Sequence, residues 1–401
     1  MFRHILKLMW NKKRLNGLII LEIAISFLVV FAVTSVGVHY GLLYLHPLGF
    51  EYENTWGIRM HSGGPWEPED ALVVKQAMRV VGELDPVEDV AGMNIAPFRN
   101  SVWSSTVHNG DRTTQAMFNR ATDGLAEMIG LQVVEGRWFG PEDDGLDWVP
   151  VVIDEQLREE LFGDEDPLGK DISEPEDDLE PFHPKDTERR VVGVIADFRQ
   201  RGELHPLRPY AFARYELGGP NERHMNSIHI KVRPGTTAAF EEELLDTLQA
   251  VAPTWEFSVK PWSDAREQMI EGLLTPLMVM ATIAAFLMLM VGLGLLGVLW
   301  QNVARRTQEI GLRRAMGAAA RRIHNQITGE LLIIASFGVV GGALVAVQFP
   351  IVGASQFFTW ETSIWSLGVS VVLIYLLAFV CALYPSWFAT RIEPADALHY
   401  E

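Results

Sequence analysis

The sequence predicts an α-helical membrane protein: four transmembrane helices plus a large mixed α/β extracytoplasmic domain inserted between helices 1 and 2. Three observations lead there. Apolar stretches long enough to cross a bilayer fall at 16–44, 273–300, 327–350 and 364–388. Basic residues gather in the short segments at the chain start and between the second and third stretches, whereas acids gather between the first and second. The 48% apolar content and mean hydropathy of +0.11 are too high for an ordinary soluble enzyme and too low for a polytopic bundle. A segregated composition accounts for both.

Residues 1–15 form a cytoplasmic segment. The first 16 residues carry Arg3, Lys7, Lys12, Lys13 and Arg14 and no acid, so the positive-inside rule keeps them in the cytoplasm. From Leu15 to Leu45 the apolar run is interrupted only by Glu22. That exceeds the hydrophobic region of a signal peptide, and at about 1.5 Å per residue it spans a roughly 30 Å hydrocarbon core, so an uncleaved helix over 16–44 is expected. An acid in such a segment is a functional candidate by default. Glu22 lies about two turns from the cytoplasmic end, which favours snorkelling or a helix–helix hydrogen bond over transport chemistry.

Residues 45–272 make the outer domain. Between 44 and 272 there are 44 acids against 21 Lys and Arg, a net charge of −23 in a chain whose total is −18. Such a surface argues against nucleic acid as a partner. The one cysteine, Cys381, lies in the last apolar stretch, so no disulfide within the chain is possible and the domain relies on its own core. Its pattern is mixed. Helices are expected at 69–84, 155–162 and 237–251, and strands at 87–93, 101–108, 112–119, 149–154, 190–197, 227–233 and 257–260. Asn109-Gly110 is the turn of a hairpin, and the acidic, proline-bearing 173–186 is a loop. Asp264 with Glu267 resembles a capping box opening a helix that continues into the second span, a mechanical lever between the domain and the arginine-rich loop beyond that span.

Span 273–300 leads to a cytoplasmic loop or helix at 301–326, then span 327–350, a short outer link at 351–363, span 364–388 and a cytoplasmic tail at 389–401. Four crossings place both termini inside. Gly292, Gly294, Gly297, Gly338, Gly341 and Gly342 allow close helix approach.

Motifs for catalysis are missing. Gly163 to Lys170 has one residue too many for a phosphate loop, with Asp171 where Ser or Thr should hold magnesium. The eleven histidines show no ligand spacing; His224 and His229 read as structural. There is no Gly-x-Ser-x-Gly. Acid pairs such as Glu142-Asp143-Asp144 read as solvated charge.

What stands out is the cytoplasmic block. Between Asn302 and Ile323 six arginines (Arg305, Arg306, Arg313, Arg314, Arg321 and Arg322) accompany one acid, Glu309. As a helix, this block puts Leu312, Ala315 or Met316, Ala319 and Ile323 on one apolar stripe. It can lie on the bilayer with its arginines on phosphate headgroups, or seat the stripe in a partner's groove. Charge alone does not choose.

The order of residues is more specific. Arg305, Glu309-Ile310-Gly311, Arg314-Ala315, Gly317-Ala318 and Glu330 resemble the region after the second membrane helix of the FtsX/MacB-type ABC transporter permeases. The ending Tyr384-Pro385-Ser386, Ala389, Arg391, Pro394-Ala395-Asp396-Ala397-Leu398 is similar to that family's C-terminus. Gly136-Arg137-Trp138-Phe139, Leu161-Phe162-Gly163, Pro167-Leu168-Gly169-Lys170 and Val191-Val192-Gly193-Val194 with Asp197 resemble its periplasmic core domain.

The resemblance implies a multi-pass protein of the cell inner (plasma) membrane, with its large domain periplasmic. It implies a non-catalytic subunit that pairs with a second permease subunit as a homo- or heterodimer. A cytoplasmic ABC ATPase subunit would dock on Glu309, Ile310, Gly311, Leu312, Arg313, Arg314, Ala315, Met316, Gly317 and Ala318. Arg305, Arg306, Arg321, Arg322, Glu22 and Glu330 are then left to membrane placement and orientation. No cofactor is expected in this chain, because ATP and Mg are bound by the partner ATPase. Familiar relatives carry the ATPase fused ahead of the first helix. Only about 15 residues precede it here, so the ATPase is expected in trans. Mechanotransmission would serve efflux, lipoprotein release or envelope regulation, with a periplasmic or outer-membrane partner. A receptor-like sensor reporting a periplasmic ligand to the ATPase is the alternative.

Overall fold

The computed structural model describes residues 13–67, 69–173, 188–216, 225–316 and 319–390. The chain divides into two compact units, Met1–Leu42 with Leu274–Glu401, and Leu43–Leu273.

Among the described residues, four helices are long and apolar enough to cross a membrane. α1 is Lys13–Tyr44. In chain order, α6 is Trp262–Arg305, α8 is Ala320–Ala346 and α10 is Trp360–Thr390. The short α9, Gln348–Val352, follows α8. Their shared core joins Ile23, Phe27 and Phe31 of α1 to Leu295 and Leu299 of α6, Leu331 and Ala335 of α8, and Ala378 and Ala382 of α10. Without a hydrophobic drive between helices in lipid, close backbone approach matters more. α8 meets α1 at two glycines four residues apart. A Cβ on Gly338 would lie 2.6 Å from Ile23 Cγ2 and 3.0 Å from Ile20 O, and one on Gly342 would lie 2.6 Å from Phe27 Cδ1. Gly297 and Gly341 have nothing within 4 Å. Hydroxyls add Thr34–Ser370 at 3.1 Å and Ser336–Tyr375 at 2.7 Å across helices. Gly338→Ala is therefore expected to lower the thermal stability of the purified full chain by about 1–3 kcal/mol through overpacking against backbone. Gly341→Ala should leave it unchanged, and equal melting temperatures for the two variants would contradict the crossing.

Glu22 is exposed, its carboxylate oxygens 3.4 and 3.5 Å from where a Cβ of Gly294 would sit. The expected helix–helix hydrogen bond is not among the contacts of the described residues. A glycine opposite gives the carboxylate room but no donor.

The second unit holds two sheets. Antiparallel β10-β1-β9-β2 consists of Glu256–Pro261, Thr55–His61, Ser227–Val232 and Val87–Gly92. Two amphipathic helices, α2 (Asp70–Gly82) and α5 (Ala239–Val251), bury Val74, Ala77, Val81, Phe240, Leu244 and Leu248 in the core with this sheet's Ile58, Ile228 and Ile230. Mixed β3-β4-β8-β6-β7-β5 consists of Trp103–Asn109, Arg112–Ala121, Tyr210–Arg214, Val149–Asp154, Arg189–Ile195 and Val133–Gly136. It is parallel at β4/β8 and β6/β7. The β3–β4 hairpin turns at Asn109-Gly110, with Gly110 at φ 58°, as the dipeptide predicts. α3 is Leu125–Met128 and α4 is Glu155–Leu161.

Several expectations need correction. β1, β5 and β8 are strands that the pattern did not reveal, because Val133–Gly136 is only four residues and Thr55–His61 mixes Gly, Arg and His into its alternation. Asp264 lies in the first turn of α6 rather than at its cap, since the helix already begins at Trp262. α6 itself runs unbroken for 44 residues, with Pro276 inside. Most of the 173–186 loop, and His224, lie outside the described residues.

His229 is buried at the root of α6. Its Nδ1 accepts from Trp262 Nε1 at 3.2 Å and its Nε2 faces Met93 O at 3.0 Å. Burial pushes its pKa down to about 4, against the Met93 carbonyl that favours the protonated ring. It is a neutral core histidine that fixes the start of the long helix.

Asp154, fully buried at the end of β6, caps α4. Its Oδ1 accepts from Leu157 N at 2.8 Å and Tyr210 N at 3.0 Å, while Oδ2 has no partner. Burial pushes its pKa up to about 8, opposed by those two N–H groups. A raised carboxyl pKa makes the folded state the better proton binder. The stabilisation is complete below the unfolded value near 4 and is lost as pH rises through about 8. Asp154→Asn keeps an N-cap without a charge to bury. Its unfolding free energy relative to the parent chain should therefore climb between pH 5 and pH 8, at about 1.4 kcal/mol per pH unit. A constant offset across that range would refute the assignment.

Candidate coupling site

α7, Thr307–Ala315, follows α6 after a single turn residue, Arg306. The Thr307 hydroxyl bonds back to Ala304 O at 2.9 Å and Val303 O at 3.2 Å, and Ile310 N to Arg306 O at 2.9 Å, so the new helix starts tightly against the old one. Its two faces differ. Ile310 is buried against Val303 of α6 and Ile323 of α8, with Ile327 beside them. Gly311 is buried too. Leu312 is 52% and Met316 73% exposed.

The apolar stripe read from the sequence is thus split. A single helix through Ile323 would place it with Leu312, but α7 ends at Ala315 and α8 begins afresh at Ala320, so Ile323 turns inward and Leu312 with Met316 outward. The side chains of Arg314 and Ala315 lie outside the described residues, as do Gly317, Ala318 and everything from Arg391 on.

A polar chain locks the inner face. Arg306 Nη1 donates to both oxygens of Glu330, at 2.9 and 3.1 Å; Gln326 Nε2 donates to Glu330 Oε1 at 3.2 Å; Arg313 Nη1 donates to Gln326 Oε1 at 3.1 Å; and Arg313 pairs with Glu309. These residues rim a pocket of about 60 Å³ whose walls include Ile19, Leu299, Ile310 and Leu331. Arg306 and Glu330, read from the sequence as orientation charges, pair with each other, with side chains 28% and 21% exposed. Arg305, Arg321 and Arg322 are exposed. Sequence reasoning missed Gln326, whose one signal is its spacing of four from Glu330.

The outer-domain motif residues shape the backbone. Gly136 has φ 67°, and a Cβ there would meet Val192 O at 2.4 Å; one on Gly193 would meet Arg137 O at 2.1 Å. Arg137 forks onto Asp143 at 2.6 and 2.5 Å. Burial raises the Asp143 pKa, but the Arg137 and Gly140 hydrogen bonds outweigh it and hold the carboxyl below its usual range. Gly169 N bonds to Val191 O at 2.8 Å, and Lys170 O accepts from Val191 N at 3.0 Å. Gly169-Lys170 therefore extends the sheet and is a structural motif. Phe162 and Pro167 are buried, and Gly163 sits at φ 61°. The Asp197 carbonyl presses on Gly49, where a Cβ would lie 1.8 Å from it.

Four apolar spans, an inserted α/β domain and a basic helix between the second and third spans define a multi-pass membrane protein. Comparison with known proteins specifies its kind. The MacB-like periplasmic core domain model matches residues 17–247, and the FtsX-like permease C-terminal model matches residues 281–394. The chain belongs to the FtsX/MacB-type ABC transporter permeases. It is 27% identical over 353 residues to the macrolide export ATP-binding/permease protein MacB of Bdellovibrio bacteriovorus, covering 82% of this chain and 51% of that one. To the protein of the same name from Neisseria meningitidis it is 29% identical over 310 residues, covering 75% and 46%. The chain thus spans about half the length of the curated relatives it matches. The periplasmic region of MacB from Actinobacillus actinomycetemcomitans aligns with 57% of this chain and 97% of that structure, at 18% identity and a TM-score of 0.38.

Proposed function

We propose that this chain is the non-catalytic transmembrane subunit of an ABC complex. It would pass the ATP-driven motion of a cytoplasmic ATPase to its periplasmic domain. The observation that carries this reading is the two-faced α7. Ile310 and the Arg306–Glu330–Gln326–Arg313 chain fasten one face to the ends of α6 and α8, while Leu312 in the last turn of α7 and Met316 just beyond its end, joined by Met316 N to Leu312 O at 3.0 Å, stand exposed. An exposed apolar pair at that spacing suits the groove of a partner protein. Force on α7 would be delivered to the base of α6, whose single helix continues to Trp262. ATP and magnesium would be held by the ATPase. A second permease subunit would complete the membrane portion, and both termini would lie in the cytoplasm, as the basic segments favour. Efflux, lipoprotein release and envelope regulation are all compatible outputs.

The test is to purify the full chain from its native host in mild detergent and identify what comes with it. An ABC ATPase should co-purify, and a cysteine at Met316 should cross-link to it. Cross-linking from the outer-domain position Leu72 (64% exposed) but not from Met316 would overturn the docking assignment.

A further inference from the structure

The outer domain grips the ends of both helices that enter it through one short segment, residues 197–205 after β7. Arg199 is only 5% exposed, yet among the described residues no carboxylate is hydrogen-bonded to its guanidinium. It donates instead to four backbone carbonyls. Nη1 reaches Leu43 O at 2.8 Å and His46 O at 3.2 Å, where α1 ends. Nη2 reaches Glu203 O at 3.0 Å and His205 O at 2.6 Å, which closes the segment on itself. The Arg199 backbone adds N to Leu48 O at 3.0 Å. Helix ends leave their last carbonyls unsatisfied. Here a buried cation satisfies one in the last turn and one just beyond it. A second grip is made by Glu203, also 5% exposed, whose carboxylate pairs with Arg266 in the second turn of α6. Arg266 lies over the Tyr52 ring, 5.0 Å from its centroid. Between the grips, Phe198 packs on Phe50 at 4.9 Å and Tyr210 at 4.8 Å, and Phe50 meets Trp262 at 6.0 Å.

A buried arginine spent on main-chain carbonyls is costly; the four Nη bonds offset that cost, while the buried Nε has no partner. The planar fork serves several acceptors in a fixed arrangement, which the single ammonium of lysine does not. Simple core stability would be served as well by apolar packing. What the arginine adds is register, because α1 cannot slide or rotate at its outer end without breaking bonds to the same segment that holds α6.

We propose that Arg199 is the positioning residue that locks the outer ends of α1 and α6 to one segment of the domain, so that displacement of either helix moves the domain instead of being absorbed in the joint. This rests on the transmission reading above. Glu203 and Arg266 complete the joint on the α6 side.

The experiment uses the full chain with its co-purified ATPase in nanodiscs. Spin labels are placed through cysteines at Leu72 on α2 and Val352 at the end of α9, both exposed, in a Cys381→Ala background. The label–label distance is compared with and without ATP, alongside ATP turnover. In the parent complex ATP should change the distance. Arg199→Lys should weaken the ATP-dependent shift in population between the two distances about 2- to 30-fold, while turnover stays within about twofold. A merely structural role would lower turnover and displacement together, or neither. Should Arg199→Lys fail to fold, the near-isosteric Glu203→Gln decides, with the same split expected. A parent complex whose distance ignores ATP would refute the transmission reading and this one with it. Full displacement in a folded Arg199→Lys complex, or in Glu203→Gln where that variant decides, would refute the joint alone.

Discussion

Leu312→Asp is expected to abolish stable association with the ATPase while leaving the permease folded. Leu312 is 52% exposed and Met316 73%, so neither contributes to the membrane core, and an aspartate there is solvated in the free subunit. In the complex the same carboxylate would be desolvated in an apolar groove with no partner. Central apolar anchors of interfaces lose about 2 kcal/mol or more on truncation, and a buried charge adds to that, so the dissociation constant should rise at least about 30-fold. ATP turnover of the reconstituted complex should fall with it, and excess ATPase should restore it in part. The neighbouring Gly311→Asp gives the contrast. Gly311 is buried, so its substitution should lower the melting temperature of the permease itself. The two variants sit one residue apart and should fail for different reasons. Unchanged binding in Leu312→Asp would remove α7 from the docking surface.

That contrast was not available from the sequence. The block Glu309 to Ala318 announced itself by order and charge, and six arginines in a short loop are what the positive-inside rule reads as cytoplasmic. Which residues face the bundle depends on where α7 stops. α7 ends at Ala315 and α8 begins at Ala320, and no periodicity count crosses such a break. For the same reason Arg306 and Glu330 read as two separate charges 24 residues apart, although α6 and α8 bring them together. The outer domain was legible where local chemistry dominates: the Asn109-Gly110 hairpin, the amphipathic α2 and α5, and the apolar β6. It was illegible where pairing across the sheet decides. Strands as short as β5 have no meaning until β7 lies beside them. Arg199 is the extreme case, since nothing near it in sequence reveals that Leu43 and His46 will present their carbonyls to it.

The second large effect concerns Arg306 and Glu330. Single truncation to alanine should destabilise the permease, because each leaves a charge or a set of donors unpaired in a site where the side chains are only 28% and 21% exposed. Fully buried pairs lose about 3–5 kcal/mol when one partner is removed. Solvent at this partly open pocket reduces that, so about 2 kcal/mol per single variant is expected. Arg306→Ala also strips Glu330 down to Gln326 as its remaining donor, and Glu330→Ala leaves Gln326 bonded to Arg313 but cut off from Arg306. The double variant should cost little more than either single one, giving an interaction energy of about 1–2 kcal/mol in a double-mutant cycle on the full chain in nanodiscs. If Arg306 served as a headgroup anchor and Glu330 only marked the start of the third span, the two effects would simply add. Non-additivity should appear in ATPase coupling as well: either single variant would loosen α7 from the ends of α6 and α8, whereas binding through Leu312 and Met316 would persist. The permease would then hold its ATPase and respond to it poorly, a phenotype opposite to that of Leu312→Asp.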